Sequence, residues 1–572
     1  MKKNIIYVAL AATTLFTMSS CYDLDRYPAD KLSAGTFWKT QTHADEAMMG
    51  VYSELQNDDV YGIYFGLDCL GNVGMGYDNA SYQTIARGTT DTRTSFYSNK
   101  WKALYDGIAR ANTVIQNIPN VDMTDELKTR YIGEAKFMRA LFYFNLLDFY
   151  GGVPLYDETT VIESDFNNMT KARSTTDETR NFILNDLDAA IEVLPDTWNS
   201  SNSGRATKDA AIALKGKVLL YAKNYADAAT EFEKVVQGRR HELYSNYSNL
   251  FKPGGDESSE MIFAVQNLGG VGQDYGMPMT FYMGTRASFG SCWNNVMLST
   301  DFVDSYEWKD GRPFDWEEVV PGFTTSQKIK DATFRATLTS DKKAVASYPA
   351  DKDELLAMYD ERDPRMQATV ILPYTWYKGW VSNARKDCQY VVGPTGAANE
   401  NNGMIRVNGN YETYVYRKFV AEYDMDGAIN NRADTPINFP IIRYADVLLM
   451  LAECDNELGK LDDAVALINL VRARVGMPGI NSGAAWLEAR TKDAVFERVR
   501  HERAVEFAGE GLNYSDLRRW GLLTTLNGKT ESGFTGTKVY YTRSVTDRDY
   551  LWPIPGGEID KNSSLTQNPG WD

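Results

Sequence analysis

Histidine is nearly absent from this chain, with only His43, His241 and His501 in 572 residues, none at ligand spacing from another. The "HERAVEF" stretch places Val505 where an H-E-x-x-H helix needs its second histidine, so a zinc-dependent protease is not indicated. Cysteine is sparse as well. Cys69, Cys292, Cys388 and Cys454 lie far apart beyond Cys21, and no C-x-x-C spacing occurs, so neither a zinc site nor a disulfide framework is expected. There is no G-x-S-x-G elbow and no P-loop; "GNVGMG" and "GGVGQDYG" are glycine-rich in the wrong order for a dinucleotide turn and read as loops. Positive charge is in deficit, with 60 Lys and Arg against 77 Asp and Glu, a net −17 that repels phosphate backbones and sets nucleic acid aside as a partner. Past the first 20 residues no apolar run reaches the roughly 18 residues of a membrane helix, and 43% hydrophobic content suits a globular body.

What is present begins with "KKNIIYVALAATTLFTMSSCYDLD". Lys2 and Lys3, an apolar run from Ile5 to Phe16, and small residues at Ser19 and Ser20 follow the order of a secretion signal, and the run is too short to span a bilayer. An ordinary cleaved signal is the plainer reading. The stretch resembles a bacterial lipoprotein signal, although Met18 stands where leucine is more usual. That resemblance implies cleavage of residues 1–20 and lipid on the thiol of Cys21. At about 0.8 kcal/mol per buried methylene, several acyl chains would hold the protein on a membrane. Asp23 and Asp25 resemble export signals that send some lipoproteins of Bacteroidota to the cell surface.

Helical periodicity dominates both ends of the remainder. In "TKDAAIALKGKVLLYAKNYADAATEFEKVVQG" the residues Leu214, Val218, Tyr221, Tyr225, Ala228 and Phe232 fall at helical spacings, with a break at Lys223 and Asn224. In "RYADVLLMLAECDNELGKLDDAVALINLVRARVG" Leu461, Ala464 and Ile468 match Tyr225, Ala228 and Phe232 at a constant offset of 236. One helix-turn-helix unit is used twice, in the manner of tetratricopeptide repeats. The stretches beginning "ELKTRYIGEAKF" and "TRNFILNDLDAAIEVLP" supply further candidates, about four pairs in all. The fold class expected is therefore mainly α, a frame of helix pairs over about 40–240 and 440–520. Interrupting it, residues of about 243–438 are rich in Gly, Pro, Asn and aromatics, with short strand-like pieces such as "EMIFAVQN" and "YVYRKFV". Five of the twelve tryptophans lie between Trp293 and Trp380, which marks this loop-rich insertion as a contact surface. Trp101 and Trp308 read instead as frame packing.

The stretches "FYFNLLDFYGGVPL", "INFPIIRYADVLLMLAECDNELG", "LINLVRARVGMPG", "RHERAVEFAGEGLNYSDLRRWG" and "YLWPIPGGEIDKNSSLTQNPGW" resemble the SusD-like (RagB/SusD) outer-membrane lipoproteins, in order and over nearly the whole of residues 21–572. The resemblance implies a single domain with four tetratricopeptide-like pairs, a surface that binds glycan, and a partner, a SusC-type TonB-dependent β-barrel on which the lipoprotein sits as a lid. The residues themselves read structurally. Val499, Ala504, Phe507 and Ala508 form a core stripe, Glu502, Arg503 and Glu506 are placed to pair along their helix, and the turn-rich tail suits a terminus pinned across the surface.

Sugar binding needs flat aromatic faces against pyranose C–H groups and short polar groups for vicinal hydroxyls. By the resemblance, the ligand face draws on "YFGLDCLGNVGMGYDNASYQTIARG" and "YGMPMTFYMGTRASFGSCWNNV". From these the candidates are Asp68 and Asn72 as hydroxyl acceptors, Tyr77, Tyr82, Tyr282 and Trp293 as stacking faces, and Arg286 as hydrogen-bond donor. Packing of each ring under its own loop is the competing expectation. No catalytic residue, metal ligand or cofactor is assigned. Asp424 and Asp426 in "YDMDGAINN" offer carboxylates to calcium, but Gly427 misses the EF-hand register, and a solvated acidic loop is the preferred reading. Two alternatives from other classes stand beside glycan capture: a peptide-binding relative, and a glycoside hydrolase, which the many carboxylates leave open by count.

Overall fold

The computed structural model describes residues 37–78, 82–160, 169–269, 276–393, 399–405 and 412–571; Cys21, Asp23, Asp25 and most of "GGVGQDYG" lie outside the described residues. The frame consists of α1 (Gln41–Tyr52), α2 (Ser95–Asn117), α3 (Asp125–Tyr150), α4 (Thr176–Val193), α5 (Lys208–Tyr221), α6 (Tyr225–Gly238), α7 (Tyr444–Glu457), α8 (Leu461–Arg474), α9 (Lys492–Phe507) and α10 (Asn513–Arg519). Each of the first eight packs on the next, giving the pairs α1/α2, α3/α4, α5/α6 and α7/α8, with α9 laid against α7 and α8. Threonines start several of them: the hydroxyls of Thr124, Thr175, Thr207 and Thr491 accept first-turn amides, and Thr175 completes a capping box with Glu178.

The two matched hairpins bury the same positions. Ala228 and Phe232 on α6, and Ala464 and Ile468 on α8, are fully buried, while Tyr225 and Leu461 are half-buried. Gly216 on α5 makes room for the Phe232 ring, which a Cβ would approach to 2.6 Å. The turn between α5 and α6 holds Lys223 at φ 59°, and Gly459 occupies the equivalent place between α7 and α8 at φ 80°. Only glycine takes that conformation without strain.

Most of the short two-stranded sheets form between the third and fourth pairs, and one of them takes a strand from between α1 and α2. β1 (Gly74–Gly76) pairs antiparallel with β3 (Val296–Leu298), and β2 (Met261–Val265) with β6 (Phe439–Arg443). A hairpin joins β4 (Trp376–Val381) to β5 (Ala384–Gln389). The β2/β6 ladder closes the excursion by bringing its outgoing and returning ends together at the start of α7. "GNVGMG", expected as a loop, contains β1; Gly74 passes so close to Asp68 that a Cβ would lie 3.0 Å from its backbone.

A buried ionic network joins the irregular segments to the frame. Arg365 reaches Glu502 at 2.5 Å and Glu506 at 3.1 Å, Arg443 reaches Glu260 and Glu506 at 2.7 Å each, and Lys418 reaches Glu510 at 2.7 Å. The expectation that Glu502, Arg503 and Glu506 pair along one helix is corrected. Arg503 bonds Asp446 on α7 and Asp516 on α10 at 2.8 Å each, and the glutamates meet cations of other elements. These side chains are buried, and a buried charge is tolerated only with a partner at hand. The C-terminal tail is held by insertion rather than by turns alone. Trp552 is buried, stacked on Phe149 at 4.2 Å with its Nε1 donating to the Tyr514 hydroxyl at 3.0 Å, and Trp571 is buried as well. Trp101 is buried in α2, and Trp308 is half-buried beside Phe314.

Candidate functional site

The β1/β3 ladder is what joins the two stretches chosen from the sequence. Gly76 pairs with Val296, and just beyond the strands the Tyr77 amide donates to the Asn295 carbonyl at 2.8 Å. Asn295 in turn donates through Nδ2 to Asp78 at 3.1 Å. Tyr77 and Asp78 thereby stand beside the 281–295 segment, which folds back on itself. The Cys292 amide reaches the Thr285 carbonyl at 3.0 Å, Trp293 the Phe281 carbonyl at 3.3 Å, and Asn294 the Gly284 carbonyl at 2.8 Å.

This folded loop exposes one large ring. Trp293 is 42% exposed, with Phe281 beneath it at 5.5 Å between centroids. The Arg286 guanidinium lies 5.7 Å from the Trp293 ring, and that of Arg432 lies 5.9 Å from it and 4.7 Å from Phe281. Tyr282 continues the aromatic surface edge-on to Phe281 at 5.0 Å. It is half-buried, and burial with the nearby carboxylates of Asp58 and Asp78 raises its phenol above the usual range, so it stays neutral and can donate. Tyr282, Arg286 and Trp293 are thus brought together, with the backbone of Tyr77 alongside at Asn295.

The other three candidates are not part of this surface. Asp68 is fully buried: its Oδ2 accepts from the Gly509 amide at 2.6 Å and from the Tyr416 hydroxyl at 3.5 Å, and burial pushes its carboxyl up to about 7. It holds the core and offers nothing to an outside hydroxyl. Tyr82 is buried too, edge-on to Phe96 at 4.8 Å with its hydroxyl donating to the Ile63 carbonyl at 3.2 Å; Gly66 leaves the slot its ring fills. Asn72 precedes β1 rather than following it, and lines a separate cavity of about 260 Å³ bordered by α9 and α10.

Phe281 and Arg432 belong to the site and were not among the sequence candidates. Arg432 donates through Nη1 to the carbonyls of Gly290 at 2.9 Å and Ser291 at 2.7 Å, pinning the loop that presents Trp293. Phe281 could have been read from its place next to Tyr282; Arg432 is some 140 residues away and has no local signal. The β4/β5 hairpin buttresses the same loop. The Trp380 amide donates to the Ala287 carbonyl at 2.7 Å, its ring lies 5.5 Å from Phe289, and Tyr377 meets Ser288 hydroxyl to hydroxyl at 2.9 Å. Asp424 and Asp426 are both bonded by Arg385, at 2.8 and 2.7 Å, which occupies the carboxylates considered for calcium. Among the described residues no cluster of three or more His, Cys, Asp or Glu side chains is placed to hold a metal ion.

Four stacked helix pairs carrying an aromatic, guanidinium-flanked surface on an irregular insertion define a tetratricopeptide-like frame with a grafted contact region. Residues 259–571 match the family described as the SusD family, and residues 24–220 match a second described as starch-binding associating with outer membrane. The chain belongs to the SusD family. It is 24% identical to a SusD-like protein of Formosa agariphila over 99% of this chain and 97% of that one. A SusD-like carbohydrate-binding protein of Bacteroides fragilis superposes with a TM-score of 0.74 at 23% identity, covering 93% of this chain and 100% of that one. Surface glycan-binding protein A of Bacteroides thetaiotaomicron, solved with laminarihexaose, superposes with a TM-score of 0.65 at 20% identity, over 93% of this chain and 100% of its own. At these identities the two structures establish a common fold.

Proposed function

We propose that this protein is a lipid-anchored, cell-surface glycan-binding protein that captures an oligo- or polysaccharide and passes it to a SusC-type TonB-dependent transporter of the outer membrane, without cutting it. The observation that carries the reading is Trp293, an exposed ring packed on Phe281 with two guanidinium groups beside it. A rigid indole face gives contact area at low entropy cost, and a pyranose presents the C–H face that fits it. Arg286 flanks that ring and Tyr282 adjoins Phe281 beneath it, each with a group able to bond vicinal hydroxyls. A fold shared with a protein solved with laminarihexaose supports a saccharide as the ligand class.

A binding rather than a cutting role is supported by the structural employment of several ionisable groups. Glu502, Glu506 and Glu510 neutralise buried cations, and His241 is held between Asp209 and the Ser259 carbonyl at 3.0 and 2.8 Å. Anchorage rests on Cys21; among the described residues no helix is long and apolar enough to cross a membrane. The test is calorimetric titration of the full mature chain with laminarin, starch and a mixed peptide pool, with product chain length followed alongside. Saturable binding of a polysaccharide with unchanged chain length is expected. Binding confined to peptides, or shortening of the polysaccharide, would overturn the reading.

A further inference from the structure

Arg432 comes to the Trp293 surface with only part of its guanidinium engaged. Its stem crosses Gly290, which sits at φ 73° and where a Cβ would come 2.8 Å from it, and its Nη1 donates to the Gly290 and Ser291 carbonyls at 2.9 and 2.7 Å. Nε and Nη2 have no partner among the described residues and remain open to solvent. That edge is the one with which other arginines of this chain hold carboxylates. Arg139 Nε and Nη2 reach the two oxygens of Asp186 at 2.7 Å each, and Arg503 reaches those of Asp516 at 2.8 and 3.2 Å. A planar fork of N–H groups matches a planar carboxylate, and the pair is stronger than a bond between neutral groups. Among the described residues no carboxylate forms an ion pair with Arg432. The Arg286 guanidinium adds a second positive charge beside the same ring, and the field of both reaches the buried Cys292 thiol. Negative charge stands at the other end, where Asp58 and Asp78 act on Tyr282. An anion is thus drawn to the Trp293 end of the surface. The overall charge of −17 opposes this weakly at physiological salt, where fields fade over about 8 Å.

We propose that this surface selects anionic over neutral chains and that Arg432 reads the charge: a uronate ring stacked on Trp293 places its carboxylate on the Nε and Nη2 edge of Arg432. In glucuronate and galacturonate the carboxylate projects equatorially from C5, at the rim of the ring and close to its mean plane. Stacking of the ring therefore presents the carboxylate sideways, where a guanidinium beside the indole meets it. A neutral hexose offers only a hydroxymethyl group there and leaves the fork to water. The inference rests on glycan capture at Trp293 and adds to it a preference for charge.

The experiment is calorimetric titration of the full mature chain with oligosaccharides of polygalacturonate, alginate and hyaluronan, each beside the same material with its carboxyl groups reduced to alcohols. Laminarin, starch, dextran and dextran sulfate are titrated in parallel. At least one uronate is expected to bind about tenfold or more tightly than its reduced counterpart. Arg432→Lys keeps the charge but removes the fork, and should narrow that gap to about threefold or less while binding of the reduced form changes little. The comparison of each uronate with its reduced form needs no variant, so it stands even if Arg432→Lys fails to fold. Equal affinity for the two forms, binding of laminarin or starch with none of any uronate, preference for dextran sulfate over dextran with none for the uronates, or a gap unchanged in Arg432→Lys would each overturn the inference and leave glycan capture standing. Failure of every polysaccharide to bind would overturn both.

Discussion

Arg443, at the end of β6, places one guanidinium nitrogen 2.7 Å from Glu506 of α9 and 2.7 Å from Glu260, which immediately precedes β2. The pair links the returning end of the insertion to the last helix of the frame. Arginines 365, 443 and 474 together hold the Glu506 carboxyl far below its ordinary range despite burial. Glu506→Gln should therefore cost about 3–5 kcal/mol of folding stability, because it strips the counter-charge from buried cations. Urea denaturation of the mature protein measures this; a cost below about 1 kcal/mol would show that the network is dispensable.

The same network sets an acid limit. Asp446, between Lys217 and Arg503, is held at about 2, below the unfolded value near 4. A carboxylate depressed in the folded state contributes stability that is full above the unfolded value and is lost as pH falls through the folded one. Stability should drop as pH is lowered from about 4 to 2, and Asp446→Asn should be less stable than wild type at neutral pH and lose less on acidification.

Asp68 works in the opposite sense. Burial raises its carboxyl to about 7, so the folded chain keeps a proton there that the unfolded chain has released above about 4. Its contribution to stability falls as pH rises from about 4 to 7, by up to about 1.4 kcal/mol per pH unit. Asp68→Asn should remove that slope while keeping an oxygen for the Gly509 amide. Stability measured at several pH values in this window would show a flatter profile; an unchanged slope contradicts the assignment.

The frame was legible because helix pairs repeat their small and large residues. The offset that aligned Phe232 with Ile468 predicted two buried residues, and both have no exposed surface. Phe232→Ala should accordingly cost about 3–5 kcal/mol, read from the same denaturation series. The candidate site was legible only in part. Trp293 stands in a loop without helical period and comes to the surface, while Tyr282, in the short helix Met279–Met283, is half-buried beside it. Asp68, in the 3₁₀ turn Tyr64–Leu70, and Tyr82 come from an equally polar and glycine-rich stretch, yet the Gly509 amide holds the first in the core and Gly66 makes room there for the second, which no short stretch of sequence announces. Arg432 illustrates the remaining limit: its role is set by the closure of the insertion, which no short stretch encodes.

Lipid attachment at Cys21 is tested by Cys21→Ala. The variant should lose acyl labelling and leave the membrane fraction for the soluble one; labelling and membrane association that both persist would contradict the anchor.

The central claim is that Trp293 is a platform for a sugar ring and not a packing residue. Trp293→Ala should weaken polysaccharide binding by about 1–3 kcal/mol, roughly 5- to 150-fold, as for an aromatic anchor at the centre of a contact surface. The ring is 42% exposed, so the melting temperature should stay within a degree or two of wild type. Calorimetric titration and thermal melting on one preparation decide the matter: weakened binding with an unchanged melting temperature is the predicted result, and a lowered melting temperature with binding intact is the result that would contradict it.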